Sequence, residues 1–493
     1  MFNKIKKFLF ENQSSRQTVI KNAFWLNFGE VSSRLIRAVV IIYAARIVGA
    51  AGYGVFSYAL NLAGLFTIFS DIGVSSILTR EASKTTDSQT RIQYLSTAFF
   101  IKLCLLALSI PLVIFVAPFF TRIKEALPLL PVIAFLLAFD SLRDFTYAFV
   151  RAIEKMQIEA ATKLITNTAI VAFGFLALYI STTSRSFTVG YTIGSGFGLA
   201  AILWILKNEF GKVFTHFNKK LIKPILYSAW PFALFGLLGG LMINTDMIML
   251  GWFRSAQELG FYAAAYKPPQ LFWVFPTLLA TSFFPILSRL ANKDNERFRV
   301  VFEKAMTAVF MIGLPLVAGS LILSHDFIKI IYGSEYLPAI PCFRILMLTV
   351  LLVFPGSLIG NAIFCYDKQK SLISYFLLGG LGNVLFNFLL IPVWGINGSA
   401  ISTIITQIIS NGFSWWKMKQ INNFYTLRHL GKISIATILM SLCAWTFNML
   451  GVNFFINLLL LVVIYFGALY LMKEPLIVEG KTIIAKGFSQ NEI

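Results

Sequence analysis

Acidic residues, cysteines and histidines are all scarce in this chain. Its 493 residues include 22 Asp and Glu, 4 Cys and 3 His, against 42 Lys and Arg. The cysteines lie far apart in apolar runs, where we expect packing rather than disulfides, and the histidines are isolated. No metal-ligand spacing, glycine-rich phosphate loop or nucleophile motif occurs. We therefore expect no catalytic residue, no metal and no cofactor.

Charged residues of both signs make up only 13% of the chain, whereas hydrophobic residues make up 57% and the mean hydropathy is +0.75. Apolar runs of about 20 residues, long enough to cross a bilayer as a helix, recur throughout. The sequence predicts an all-α polytopic membrane protein with about 14 transmembrane helices. The expected spans are 18–47, 53–79, 92–117, 127–150, 157–181, 186–207, 223–251, 258–288, 300–323, 339–365, 370–391, 396–416, 431–450 and 452–472.

Lys and Arg are unevenly distributed among the predicted connectors. One side carries clusters at 4–10, 207–223 and 289–299, whereas the other side carries only Arg46, Arg122, Lys124, Arg185, Arg254 and Lys329. Because positive residues accumulate on the cytoplasmic side, we expect both termini in the cytoplasm. The net charge of +20 then reflects topology and membrane-surface charge, so we predict no nucleic-acid partner.

The first six predicted spans resemble the next six. Three segments match in the same order, at offsets of 206, 210 and 213: Gly54 with Gly260, Pro128 and Pro131 with Pro338 and Pro341, and 154–155 with 367–368. Co-linear matches indicate two pseudo-symmetric six-helix lobes around a central cleft, which is an alternating-access design. We expect an N-lobe at 1–211, a cytoplasmic linker at 212–222, a C-lobe at 223–420, and two more spans with a cytoplasmic tail at 421–493.

Charged residues inside the first predicted span are the main functional signal. Glu30, Arg34 and Arg37 fall on one stripe of a helix. A charge in the bilayer centre costs at least about 2.5–3.5 kcal/mol, so this stripe should face protein or a watery cavity. Two cations against one anion predict an anion site. The alternative is that Arg34 only forms a structural pair with Glu30.

Other intramembrane charges extend this prediction. Polar residues of the fourth span form a second stripe that is a sugar groove, a gate or a structural ion-pair cluster: Asp140, Arg143, Asp144, Tyr147 and Arg151. Asp71 and Asp246 read as isolated carboxylates that could serve gating or ion coupling, although a helix-capping role is equally open for Asp246. The cations expected to line the same cavity as Arg37 are Lys102, Lys163, Lys267 and Arg344.

Three segments resemble a known family. The segments 25–54, 245–251 followed by 259–266, and 387–400 are similar to those of bacterial polysaccharide exporters of the O-antigen flippase type, whose superfamily contains multidrug exporters and lipid II flippases. The resemblance implies a transporter that moves an undecaprenyl-diphosphate-linked oligosaccharide to the outer leaflet of the bacterial cytoplasmic membrane. It also implies membrane lipids and polysaccharide polymerase or assembly proteins as partners.

Two other functions remain open from the sequence. A multidrug or cation exporter of the same architecture would need an anionic cleft, which the arginines of the first span disfavour. A membrane-embedded glycan polymerase or ligase would be expected to expose a large outer loop. Every outer connector predicted here is short, the longest being 324–338.

Overall fold

A computed structural model describes residues 15–85, 87–426 and 430–478. The basic stretch 4–10, His429 and the end of the C-terminal tail lie outside these ranges. The described residues form helices and turns and contain no β-strand. The α-helices are α1 Ser15–Phe66, α2 Val74–Ser83, α3 Ser88–Pro111, α4 Leu130–Ala152, α5 Met156–Ile180, α6 Ser184–Ile205, α7 Lys207–Phe210, α8 Ile222–Phe253, α9 Ala256–Phe272, α10 Val274–Leu290, α11 Asn295–Ile322, α12 Ser324–Tyr332, α13 Ile340–Leu348, α14 Val350–Cys365, α15 Lys370–Ile421, α16 Gly431–Met449 and α17 Phe454–Leu471.

Twelve helical stretches among the described residues are long and apolar enough to cross a membrane. Two of them, Lys21–Ser70 and Lys370–Ile421, contain 50 and 52 residues. A straight helix of that length would extend about 75 Å, more than twice the hydrocarbon thickness of a bilayer. Each is broken near its middle by a glycine with positive φ, Gly49 at 71° and Gly395 at 57°. Counting the halves separately confirms the fourteen predicted spans.

The break in α15 folds the chain back on itself. The hydroxyl of Ser402 donates to the carbonyl oxygen of Asn383 over 3.3 Å, although 19 residues separate them. A Cβ added at Gly398 would collide with the carbonyl oxygen of Leu390. The two halves of α15 are therefore consecutive antiparallel spans joined without a connector.

The second predicted span is wrong in one respect. It was expected to continue to residue 79, but α1 ends at Phe66 and one short turn, Thr67–Ser70, precedes a break. Gly73 has a φ of 94°, and α2 begins only at Val74. Apolar composition continues across the break, so hydropathy alone predicts a single helix.

The structure confirms the internal repeat at two places. The short helical turns Lys124–Leu129 and Ser334–Ala339 precede α4 and α13 at an offset of 210. Glu154 and Asp367 follow α4 and α14 at an offset of 213, and their φ values are 58° and 57°. The amides of the next residues reach back to carbonyls at the same offset, at 3.1 and 3.2 Å. The same structural elements thus occur twice in one order.

Contacts divide the chain into two compact units, one ending at Ala263 and one beginning at Ala264. In the first unit a buried cluster around Phe145 and Phe149 joins α2, α3, α4 and α6. In the second, α16 and α17 pack against α11, where the Tyr465 hydroxyl donates to the carbonyl oxygen of Met311 at 2.7 Å. The lobe boundaries expected from the sequence stay a prediction.

Candidate functional site

The first half of α1 packs closely along α5 in the first unit. A Cβ at Gly29 would lie 2.9 Å from the Cα of Ala160, and one at Gly174 would lie 2.9 Å from a Val40 methyl group. Small residues allow membrane helices to approach this closely. The two contacts follow each other in the same order on both helices, so the first and fifth spans run parallel. This packing brings the charged stripe of α1 against α5.

A network of five charged side chains connects α1, α4 and α5. Arg34 donates from Nε to Glu30 at 2.7 Å, and Lys163 Nζ lies 3.1 Å from the other oxygen of Glu30. Lys163 also lies 3.0 Å from Glu159, which accepts two hydrogen bonds from Arg151 at 2.7 and 2.5 Å. Each carboxylate is therefore shared by two cations. Arg34 forms the pair with Glu30 that the sequence had left as an alternative.

Arg37 is held differently from Arg34. Its Nε donates to the side-chain oxygen of Asn167 at 2.9 Å, and the Asn167 amide nitrogen donates to the carbonyl oxygen of Lys163 at 2.7 Å. Asn167 is 1% exposed, so its amide is fixed within the helix packing. The terminal nitrogens of Arg37 make no hydrogen bond or ion pair with any residue that the structure describes. Asp140, Arg143 and Tyr191 lie close enough to act on its charge.

The polar stripe of the fourth span does not form one continuous groove. Arg143 is buried and contacts Asp140 at 2.6 Å and the Ser195 hydroxyl at 2.9 Å, whereas Arg151 turns to Glu159 on α5. Asp140 and Arg143 thus satisfy each other. Asp144 differs, because it is exposed and forms no hydrogen bond or ion pair with other described residues.

Asp71 is not isolated, contrary to the prediction. Its carboxylate lies 2.8 Å from Lys102 of α3, whose side chain is completely buried. The same carboxylate accepts hydrogen bonds from the backbone amides of Gly73 and Ser75 at 3.0 and 3.3 Å, and one from the Ser75 hydroxyl. Asp71 therefore fills the break between α1 and α2, where backbone amides would otherwise lack acceptors.

An open cavity of about 390 Å³ lies in the first unit next to this break. Three carboxylates and one lysine line it: Asp71, Asp140, Asp144 and Lys102. Lys102 was expected in a cationic cavity with Arg37, but the cavity that it lines is acidic and includes neither Arg34 nor Arg37. Lys102 and Arg143 compensate two of the carboxylates, which leaves Asp144 as the unpaired charge.

The remaining predicted site residues lie elsewhere. Asp246 is also not isolated, because it is buried and accepts a hydrogen bond from the Tyr262 hydroxyl at 2.8 Å. In the second unit Lys267 is half-buried, and Arg344 is exposed and donates to Ser324 at 2.7 Å. No group of three or more His, Cys, Asp or Glu side chains suited to a metal ion occurs in the described part of the chain.

The sequence prediction missed two members of this site. Glu159 and Asn167 flank Lys163 at a spacing of four residues, so all three lie on one face of α5. Glu159 is in the first turn of the helix, where an acidic residue reads as part of the connector. The spacing of four could have revealed this polar face, whereas its contacts with α1 depend on tertiary packing.

Comparison with known proteins identifies the family of this chain. The family model described as polysaccharide biosynthesis protein matches residues 19–291, more than half of the sequence. The chain belongs to this family. It is 22% identical to a Shigella flexneri protein whose name proposes that it is an O-antigen transporter. This match covers 83% of this chain and 99% of that protein. The chain is 21% identical to a capsular polysaccharide biosynthesis protein of Staphylococcus aureus, over 80% and 97%.

The chain can also be compared with solved structures. A lipid II flippase, MurJ, in an inward closed conformation superimposes on this chain with a TM-score of 0.72. The match covers 91% of this chain and 99% of that structure at 19% identity. At that identity the comparison establishes the fold alone: this chain is a multi-pass α-helical membrane protein with the fold of that structure.

Proposed function

We propose that the protein is a flippase that moves an undecaprenyl-diphosphate-linked oligosaccharide from the inner to the outer leaflet by alternating access. Family membership, the names of the two relatives and the shared fold support this function. The product would enter O-antigen or capsular polysaccharide biosynthesis. No covalent bond changes in such a process, so the protein is not an enzyme.

The same proposal covers location and partners. The protein resides in the bacterial cytoplasmic membrane with both termini in the cytoplasm, as the distribution of Lys and Arg favours. Its partners are the lipid-linked glycan, membrane lipids, and the polymerase and assembly proteins that use the translocated glycan.

Arg37 is the residue that we assign to the diphosphate. This assignment rests on one observation. Asn167 holds the Arg37 guanidinium at Nε, while both terminal nitrogens have no partner among the described residues. A planar fork of this kind binds two phosphate oxygens at once and stays charged when partly desolvated. Arg34 and Lys163 add positive charge but already contact Glu30. Direct substrate contacts by Arg143, Lys267 and Arg344 stay predictions.

Binding of undecaprenyl diphosphate to the purified protein tests this assignment. We expect the diphosphate to raise the Tm of the wild-type protein and undecaprenol to leave it unchanged, because only a ligand that binds the native state stabilises it. Arg37→Ala should weaken binding about ten- to hundredfold, since each charge-assisted hydrogen bond contributes about 1.5–3 kcal/mol. Arg37→Lys should recover part of the affinity, because it keeps the charge but loses the fork.

Arg80→Ala is the matched control for this test. Arg80 is exposed and pairs with its neighbour Glu81, away from the α1–α5 network. Its loss should change neither diphosphate binding nor glycan export. If a folded Arg37→Ala protein binds undecaprenyl diphosphate and exports glycan as the wild-type protein does, the anion site does not lie in the first span.

Among the four predicted carboxylates, we assign ion coupling to Asp144. Asp71 and Asp140 each have a cation partner, and Asp246 has Tyr262, whereas Asp144 faces the cavity unpaired. We expect Asp144→Asn to export glycan at a rate that no longer responds to a proton or sodium gradient across proteoliposomes. A gradient response equal to that of the wild-type protein would exclude this role.

The acidic cavity favours one second candidate, a cation exporter of the same architecture. Such a transporter would use Asp144 to attract an organic cation. Efflux of ethidium from cells that carry the protein distinguishes the two functions. Ethidium efflux that Asp144→Asn abolishes, together with no stabilisation by undecaprenyl diphosphate, would favour the exporter.

A further inference from the structure

Two repeat-related glycines meet at one crossing of α1 and α9. A Cβ added at Gly54 would collide with the carbonyl oxygen of Ala256, and one added at Gly260 would collide with the carbonyl oxygen of Ala50. Ala50 and Ala256 are themselves separated by 206 residues, the offset that relates Gly54 to Gly260. The two contacts are thus equivalent under the internal repeat. We call these four residues the glycine crossing.

The glycine crossing is tight and is made by backbone atoms. Gly54, Gly260 and Ala50 are buried, and the absence of side chains lets each glycine Cα approach a carbonyl oxygen. Contacts of this kind contribute about 0.5–1 kcal/mol each, far less than an interlocked set of large side chains. Such a contact therefore separates at small energetic cost.

A break in the α1 helix lies next to the crossing. Gly49, five residues before Gly54, has a φ of 71°, which residues other than glycine rarely adopt. The two halves of α1 meet there, so a change in backbone angles at one residue would change the direction of the half that carries Gly54. The residues of the crossing come just after the first and seventh spans in the sequence. In the topology that we propose for the flippase, these two spans end at the outer face of the membrane.

We propose that the glycine crossing is an outer gate that separates to release substrate and re-forms in each transport cycle. The inference rests on the proposed function for its orientation in the membrane. The inference goes beyond the proposed function because it names the residues of the gate. This gate closes because two positions carry no side chain, and it uses no charged or aromatic group.

Alanine substitutions test whether the crossing must close. Gly54→Ala or Gly260→Ala puts a methyl group where a carbonyl oxygen lies, so we expect glycan export to fall at least tenfold while the protein still folds. A single cysteine replacing Asn61, two helical turns beyond Gly54, should then react faster with a membrane-impermeant thiol reagent added outside. The background for this measurement has the four native cysteines replaced.

Gly360→Ala and Gly412→Ala are the matched controls. Both glycines lie within helices, and an added Cβ at either position would meet nothing within 4 Å. They should export glycan and label at the rates of the unmodified background. Full export by Gly54→Ala and Gly260→Ala, or unchanged labelling at position 61, would overturn the proposal.

A reversible cross-link tests whether the crossing must open. Ala51→Cys and Gln257→Cys add exposed thiols beside Ala50 and Ala256. Joining them with a short cleavable reagent should stop export, and reduction should restore it. Full export by the cross-linked protein would mean a fixed contact rather than a gate.

Labelling at position 61 does not depend on substrate, so it distinguishes failure of the gate from failure of the proposed function.

Discussion

Arg37 and Asn167 form a unit of two side chains whose geometry is fixed from both ends. Asn167 accepts from Arg37 with its oxygen and donates to the Lys163 carbonyl with its nitrogen. The second bond determines which end of the amide faces Arg37. The sequence predicted Arg37 as an anion contact from its place in an apolar span, but a partner 130 residues away cannot be read from local spacing.

Substitution of Asn167 tests its role as a positioning residue. Asn167→Ala leaves the Arg37 charge but removes the acceptor at Nε, so we expect diphosphate binding to weaken by about tenfold. Asn167→Asp should weaken it at least as much, because the new carboxylate competes with phosphate for Arg37. Titration of purified protein with undecaprenyl diphosphate measures both effects.

Asn361→Ala is the control for that titration. Asn361 also donates to a backbone carbonyl one turn earlier, that of Ser357 at 2.9 Å, but it has no arginine partner among the described residues. Its loss should leave diphosphate affinity unchanged. If Asn167→Ala binds as tightly as the wild-type protein while Arg37→Ala does not, Asn167 has no positioning role.

At the scale of helices, hydropathy predicted where spans occur but not where they break. Span two reads as apolar through residue 79, yet the structure ends α1 at Phe66 and starts α2 at Val74. Asp71 followed by Gly73 is a turn signal, and the charge of Asp71 inside an apolar run requires a partner. That partner, Lys102, comes from another helix, and tertiary packing overrides the local preference for a continuous helix.

The Asp71–Lys102 pair should therefore stabilise the break between α1 and α2. Lys102→Met removes one partner of a buried pair, which typically costs about 3–5 kcal/mol because the other charge is left uncompensated. We expect a lower Tm in detergent for this variant. The double variant Asp71→Asn, Lys102→Met removes both charges and should recover at least half of the lost Tm. A double variant no more stable than Lys102→Met would show that the pair is not the source of stability.

For the whole molecule, composition and the pattern of hydrophobic runs predicted the helical architecture that the structure contains. The number of spans and the repeat follow from hydrophobic runs and co-linear motifs, and both are confirmed by the described helices. The charged site was predicted only in part. The pair of Glu30 and Arg34 was considered because the two residues lie one helical turn apart, whereas the contact of Lys163 with Glu30 depends on helix packing and was missed. Local pairs are readable from a sequence, and pairs across helices are not.

Topology gives a prediction at this scale. Lys212 is exposed after α7, and Ser184 begins α6. The proposed cytoplasmic orientation of both termini would place these two residues on opposite sides of the membrane. A cysteine at position 212 should react with an impermeant thiol reagent only after the cells are permeabilised, whereas one at position 184 should react in intact cells. Labelling of both positions from outside would disprove the topology that the Lys and Arg distribution favours.

The fold-back at Gly395 affects how the protein is made. The two halves of α15 have no connector between them, so we expect them to enter the bilayer together. The translocon would then receive the pair as one hairpin. A reporter domain inserted at Gly395 would separate the halves during synthesis, whereas one inserted after Gly211, an exposed residue beyond α7, would only lengthen a surface connector.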